Sequence, residues 1–444
     1  MAASPANLEV IPSAGRLVRS LRDMGYDFVQ AVADLVDNSL AAGASEVCID
    51  VTFSGSASWV RIADNGHGMS KRDLIEAMRF GSQREYDKED LGRFGLGLKT
   101  ASLSQCRRLT VASRTDPARR RVIAFAWDID HLERTNRWEV LPVEGSQLDD
   151  TLQEPLGKST GTVVVWKRID RILDYAHPNG ESARKKMSTM CRDLEAHLAM
   201  VFHRFLAAPG SRRKFRILLN GNPVEPWDPF VRGETKTRSL DPVRIPVEGE
   251  TARGEVLLER FVLPHQSEFS SPEAFRRASG PANWNQQQGI YIYRANRLIQ
   301  AGGWCGLRTV DEHLKLARVA LSFSPALDAA FRVNVAKMRV QLPASARDAI
   351  REQLQPALAL AQKRYRETTA REDSVSSGRP TPKAAATTST SASPTPVRGA
   401  ARVAATPAAE PRWTLDEFEQ ELLLVARPAE KKVVRTVISR MRRR

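Results

Sequence analysis

Residues 33–69, ADLVDNSLAAGASEVCIDVTFSGSASWVRIADNGHGM, set carboxylates and amides into a run that is otherwise core-forming. Val29, Val32, Leu35, Val36 and Leu40 recur at helical spacing, which predicts a helix over residues 16–42, stopped by Gly43. Asp34 and Asn38 lie four apart on that helix and so share a face. EVCIDVTF (46–53) alternates like a half-buried strand, and WVRIAD (59–64) reads as its neighbour. Asp64 then ends a strand just before Gly66 and Gly68. Glycines there let backbone come close to a flat ligand, while the carboxylate accepts hydrogen bonds from it.

The pattern continues outward. A helix is predicted at about 70–79, followed by a polar loop over 81–92. GRFGLGLKTAS (92–102) opens another helix, whose first N–H groups and positive dipole end favour phosphate. RLTVAS (108–113), RVIAFAWDI (121–129) and GTVVVWKRI (161–169) read as strands of one sheet. Helices over an antiparallel-leaning sheet give an α+β class for residues 1–172. A second α+β domain is expected at 181–368. It opens with a long helical segment (181–207), continues through KFRILLN, EVLLERFVL and GIYIYRANRLI, and closes with two short helices around 310–330 and 344–368. Residues 371–411 are rich in Ala, Thr, Ser and Pro, too poor in large apolar side chains to offset ordering entropy, and read as a disordered linker. Residues 412–444 return to helical periodicity, with Thr414 and Glu417 spaced as a capping box. That segment is too short to fold alone and is expected to dock on a protein partner.

Composition narrows the function classes. The 444 residues are 42% hydrophobic and 27% charged, ordinary for a chain with a real core. The net charge is +15, and only part of it lies in the tail: 14 basic and 8 acidic residues from 371 onward leave +9 in the body. That balance suits nucleic acid, an anionic nucleotide or an acidic partner without choosing among them. The basic runs at 119–121, 184–186, 212–214 and 442–444 read as solvated faces or as DNA contacts. Four cysteines without a C-x-x-C pair argue against a disulfide framework and a structural zinc site. The chain has no apolar signal core and no run long enough to span a bilayer, so the expectation is a cytoplasmic protein without membrane contact. The seven histidines do not cluster at ligand spacing. Gly92-x-x-Gly95-x-Gly97 lacks the Lys-Ser/Thr ending of a P-loop.

Singly, each motif also reads as an ordinary cap, turn or packing loop. Their order is what carries meaning: helix Asp/Asn, strand Asp-Gly, polar loop, glycine-rich helix start, strand Gly161-Thr162. In that order, ADLVDNSLAAGA (33–44), ADNGHGM (63–69), FGSQREYDKEDLGRFGLGLKTAS (80–102) and GTVVVW (161–166) resemble the gyrase B, heat-shock-90-type chaperone, histidine kinase and MutL superfamily of ATPases, with its Bergerat fold. GRFGLGLKTAS is nearest to MORC-type ATPases and their bacterial relatives. GIYIYRANRLIQAGGW (289–304) and VNVAKMRV (333–340) resemble the transducer domain that follows in this superfamily.

The resemblance implies roles. Asp34 occupies the general-base position, where most hydrolysing relatives carry the longer Glu, and this implies slow turnover with ATP binding intact. Asn38 would ligate Mg²⁺ bridging the phosphates. Asp64 would accept the adenine amino hydrogens, with Thr162 supporting it through water. Gly66 and Gly68 would give the backbone room, and Met69 would pack on the purine. Gly92, Gly95, Leu96, Gly97 and Leu98 would wrap the phosphates under a lid of residues 81–94. Lys99 either adds charge there or points to solvent, and Lys337 either senses the γ-phosphate or is solvated. The implied activity is an ATP-gated, Mg²⁺-dependent ATPase switch that forms a homodimer on binding ATP, with DNA or a remodelled protein complex as its object. A nucleotide-sensing scaffold with little hydrolysis is the rival. No phospho-acceptor histidine segment supports a kinase.

Overall fold

Fourteen residues of helix, Phe28–Ala41, bury Ala31, Val32, Leu35 and Val36 against a sheet and take Asp34 and Asp37 inside with them. In the computed structural model, the described residues are 11–23, 26–81, 97–118, 121–157, 159–175, 177–207, 215–248, 253–281, 283–333 and 340–376, with side chains as far as 367. In chain order the helices are α1 (Ala14–Arg22), α2 (Phe28–Ala41), α3 (Lys71–Met78), α4 (Gly97–Leu103), α5 (Ile129–Thr135), α6 (Asp150–Gln153), α7 (Glu181–Val201), α8 (His203–Leu206), α9 (Pro272–Ala278) and α10 (Ala344–Ser376). The single helix expected over 16–42 is two. Asp23 ends α1, and Asp27 takes extended backbone (φ −72°, ψ 149°) to start α2 afresh. Tyr26 stands in the break, and the site uses it.

The strands are β1 (Glu46–Thr52), β2 (Trp59–Asp64), β3 (Arg108–Arg114), β4 (Ile123–Asp128), β5 (Leu141–Pro142), β6 (Gly161–Lys167), β7 (Arg216–Leu219), β8 (Asn222–Pro223), β9 (Arg238–Glu248), β10 (Arg253–Val262), β11 (Gly289–Arg294), β12 (Arg297–Gln300) and β13 (Ala317–Phe323). The first sheet runs β5-β4-β3-β6-β2-β1-β7-β8. It is antiparallel except between β1 and β7. That parallel pairing moves the expected boundary between residues 172 and 181, because β7 and β8, assigned by sequence to the second domain, extend the first sheet. Strands alternate faces, and β6 makes the alternation visible. Val164 and Trp166 join the main core with α2, whereas Val163 and Val165 join a smaller cluster under Leu152 and Leu156.

The second sheet runs β12-β11-β13-β10-β9, with β11 and β13 parallel. Here the helix expected around 310–330 is corrected: its centre is strand β13, in the middle of the sheet. ARVALSF is almost wholly buried on both faces. A strand covered on both sides shows no alternation, and a short apolar run then reads equally as helix. The closing helix is longer than expected, running to Ser376 and so into the stretch read as linker. Residues 377–444, including the rest of the linker and the docking segment with Thr414 and Glu417, lie outside the described residues. The mixed α+β class holds. Among the described residues no helix is long and apolar enough to cross a membrane.

Helix α7 packs on α2 on one side and on β12 on the other, so it joins the two sheets. The β11–β12 hairpin turns on Ala295 (φ 47°) and Asn296 (φ 69°), the two left-handed residues of a tight two-residue loop. Arg294, just before that turn, is fixed by a buried fork onto Asp328: Nε donates at 2.7 Å and Nη2 at 2.8 Å. An Asp328→Ala change would strand the guanidinium in the core, so it should lower unfolding free energy by about 3–5 kcal/mol in urea titrations. A loss below about 1 kcal/mol would show that the fork does not hold the hairpin.

Candidate nucleotide site

Sheet register assembles one end of the site. Asp64 pairs with Thr162 across β2 and β6, and Thr162 pairs with Ser113 across β6 and β3. Asp64 lies two residues beyond Ile62, whose side chain faces α2, and so it faces α2 as well. Its Oδ1 accepts the Gly66 N–H at 2.9 Å and the Thr162 N–H at 3.2 Å, and its Oδ2 accepts the Ser39 hydroxyl at 3.2 Å. Thr162 thus supports Asp64 directly through its backbone, where the resemblance implied water. Ser113 Oγ, fully buried, donates to Gly161 O at 2.8 Å, lies 3.1 Å from Thr162 Oγ1, and accepts the Met69 N–H at 2.7 Å. Met69 is half-buried at the margin of the core.

The glycines serve the protein's own backbone first. A Cβ on Gly68 (φ 70°) would stand 2.1 Å from Arg114 O, and one on Gly161 (φ 148°) would stand 1.9 Å from Asp64 O. One on Gly66 would meet Ala42 O at 2.8 Å. Gly68 and Gly161 thus allow the close approach of the Asp64 strand end to β3 and β6, and Gly66 the approach of the following turn to the end of α2.

The other end is built from α2. Asp34 is 4% exposed, and its Oδ2 accepts the Tyr26 hydroxyl at 3.0 Å. Asp37, fully buried, receives Arg297 Nε at 2.9 and 3.2 Å on its two oxygens, and Arg297 Nη2 stands 3.9 Å from Asp34 Oδ1. Gly97, the first residue of α4, comes next: a Cβ there would be 3.9 Å from Asp34 Oδ2. Asn38, half-buried, follows one turn after Asp34. Leu98 packs half-buried on the core. Lys99 does not point to solvent. It is 2% exposed and donates Nζ to the Ala77 carbonyl of α3 at 2.9 Å, with its pKa pushed down to about 8 by burial while Glu76 pulls the other way. Gly92, Gly95, Leu96, Lys337 and the lid over 82–94 lie outside the described residues.

Tyr26 and Arg297 are the site residues that sequence reasoning missed. Tyr26 sat inside a helix expected to be continuous. Arg297 is 260 residues from Asp37, and no local periodicity reports so distant a pairing. No such signal was available for Arg297: Asp34 and Asp37 fall on the side of α2 away from Val32, Leu35 and Val36, where a charge reads as solvated.

Burial raises the Asp64 pKa, while the N–H groups of Gly66 and Thr162, the Ser39 hydroxyl and His67 pull it down without cancelling the rise. A carboxyl raised on folding holds more protons in the folded chain than in the unfolded one, so ionising it costs stability as pH climbs past the ordinary 3.8. Asn keeps an oxygen for both N–H donors and cannot ionise. The stability of Asp64→Asn relative to wild type should therefore increase between about pH 4 and pH 8. A difference that stays flat with pH in urea midpoints would overturn this electrostatic account.

Residues 26–162 match the family model described as histidine kinase-, DNA gyrase B- and HSP90-like ATPase. The DNA mismatch repair protein MutL of Haemophilus influenzae strain PittEE is 30% identical over 203 residues, covering 45% of this chain and 28% of that protein. MutL of Mannheimia succiniciproducens is 34% identical over 218 residues, covering 48% of this chain and 30% of its own. MutL of Salmonella arizonae is 29% identical over 218 residues, at 47% and 30%. The chain thus spans under a third of the length of these relatives. The matched segment includes α2, the Asp64 strand end, α4 and Thr162, the elements that meet in this site. Residues 26–162 are thus a histidine kinase-, DNA gyrase B- and HSP90-like ATPase domain.

Proposed function

We propose that this chain binds ATP with Mg²⁺ and hydrolyses it slowly, as a switch in which a lid and the second sheet respond to the γ-phosphate. One arrangement carries the reading: Asp64 faces α2 at a glycine-lined strand end, and on α2 itself Asp34 lies beside the first residue of α4. Asp64 would accept the adenine amino hydrogens. Gly92, Gly95, Leu96, Gly97 and Leu98 would surround the phosphates, where free N–H groups at a helix start favour anions. Asn38 offers a hard amide oxygen of the kind Mg²⁺ takes. Among the described residues no cluster of three or more His, Cys, Asp or Glu could hold a metal alone, which suits an ion held largely by water and phosphate oxygens. Bound there, Mg²⁺ would neutralise phosphate charge.

Asp34 would accept a proton from the water that attacks the γ-phosphorus, while the bond from that phosphorus to the bridging oxygen breaks and ADP leaves with the electron pair. Asp is one methylene shorter than the Glu usual in hydrolysing relatives, so the water must come closer to α2. A slow step follows from that reach. Homodimer formation on ATP binding, the MORC-type branch suggested by GRFGLGLKTAS, a cytoplasmic location and a protein partner for residues 412–444 belong to the same proposal. Duplex DNA is the proposed object. Arg184, Lys185 and Lys186 lie exposed on α7, and neutralising phosphates there would make binding strongly salt-dependent.

In phosphate-release assays, Asp34→Asn should reduce turnover by about 10²-fold or more while ATP affinity stays within about 2-fold. Lys337→Ala should abolish hydrolysis and leave ADP affinity unchanged. Duplex DNA should raise the wild-type rate, and that stimulation should collapse with added salt. A second reading draws on the engagement of Asp34 by Tyr26 and Arg297: a nucleotide-sensing scaffold with little hydrolysis. Wild-type turnover no faster than that of Asp34→Asn would select it.

A further inference from the structure

Arg297 belongs to the second sheet, yet its guanidinium ends on α2. It is 1% exposed and held on several sides: Nε reaches both oxygens of Asp37, Nη1 donates to Leu298 O at 3.2 Å, and the ring of Phe202 at the α7–α8 junction lies 6.0 Å from the guanidinium carbon. Nη2 is the remaining arm. Among the described residues it makes no hydrogen bond, and it stands 3.9 Å from Asp34 Oδ1. A planar fork cannot turn one arm without turning the others, so the grip on Asp37 fixes where Nη2 points.

We propose that Arg297 is a positioning residue for Asp34: anchored on Asp37, it carries the place of the β11–β12 hairpin into the aim of the Asp34 carboxylate. The two Asp34 oxygens are then addressed from opposite segments, Oδ2 by Tyr26 at 3.0 Å and Oδ1 by Arg297 at 3.9 Å. A short carboxylate that must meet a water has little tolerance for rotation. Closing the gap at Nη2 by about 1 Å would make a direct charge-assisted hydrogen bond, and a shift of β12 against α2 would supply it. The other groups near the guanidinium are Tyr26, whose phenol is raised by burial and by Asp34, and His197, on α7, pushed down to about 4 by burial and by Arg297 itself. Neither carries charge at neutral pH. Among the described residues, Arg297 is a cation through which the second sheet can act on Asp34. The inference rests on the nucleotide reading of the site given above.

Two variants separate positioning from mere support. Arg297→Lys keeps a point charge for Asp37 but has no second arm for Asp34. The double variant Arg297→Gln with Asp37→Asn replaces the buried Arg297–Asp37 pair by two neutral groups that can hydrogen-bond each other. In both, thermal midpoints close to wild type and ATP affinity within about 2-fold are expected, with kcat lowered about 10-fold or more. Recovery of kcat together with stability, in either variant, would overturn the proposal and leave Arg297 a structural ion pair. A wild-type chain that shows no ATP binding in calorimetry would instead overturn the nucleotide reading, and this inference with it.

Discussion

Burying two carboxylates one helical turn apart is unfavourable unless a cation comes to meet them, and in this chain the cation comes from a different sheet. Asp34 and Asp37 lie one helical turn apart on α2, buried on the side away from Val32, Leu35 and Val36. Desolvation alone would keep that face apolar. Arg297 makes the arrangement tolerable, and it can do so only if β12 is brought alongside α7 and α2. The Arg294–Asp328 fork before the turn and the two left-handed residues within it give the hairpin one shape. Much of the second sheet's placement against the first follows from this one requirement. A buried ion pair of this kind is weak evidence of net stability, since an apolar pair of equal volume would do as well. Its presence is better understood through what the charges do.

The legible part of the molecule was the part built locally. β1, β2, β3, β4 and β6 fall where alternation and strand composition put them, and α3 begins at Ser70 with the capping box that Ser70 and Asp73 form. Asp64 was legible because a carboxylate followed by two glycines at a strand end has few structural uses. β13 was not, because a strand covered on both faces has no period to read. The break between α1 and α2 had its signals in Gly25 and in Asp27, the residue before α2, and was missed because the apolar pattern was read only from Val29 onward. β7 joining β1 was invisible for another reason: parallel pairing joins segments about 170 residues apart, and nothing in either strand names its neighbour.

The charged residues show the same division. Asp64 needed only its own strand end, its register partner Thr162 and Ser39. Lys99 was read from its position in GLGLKTAS, yet the side chain turns to the Ala77 carbonyl, since a carbonyl at a helix end is the nearest acceptor for an ammonium already inside the core. Arg297 and Tyr26 could be found only from three dimensions. Where a motif supplies backbone geometry, the sequence pattern reads well; where it supplies one half of a side-chain pair, the other half must be located in space.

The two ends of the proposed site therefore differ in kind. The purine end is held by hydrogen bonds among β2, β3 and β6 of a single sheet, tightened by glycines whose replacement would push backbone into backbone. Such an end changes little unless the sheet itself opens. The end at Asp34 is assembled from side chains on α2, on the segment between α1 and α2, and on β12 of the other sheet. A nucleotide would on this account be recognised by the first sheet alone, whereas turnover would depend on where the second sheet lies. If Asp34 is the base, its short arm would be no defect in such a chain: it would leave the rate to a contact that lies between the two sheets.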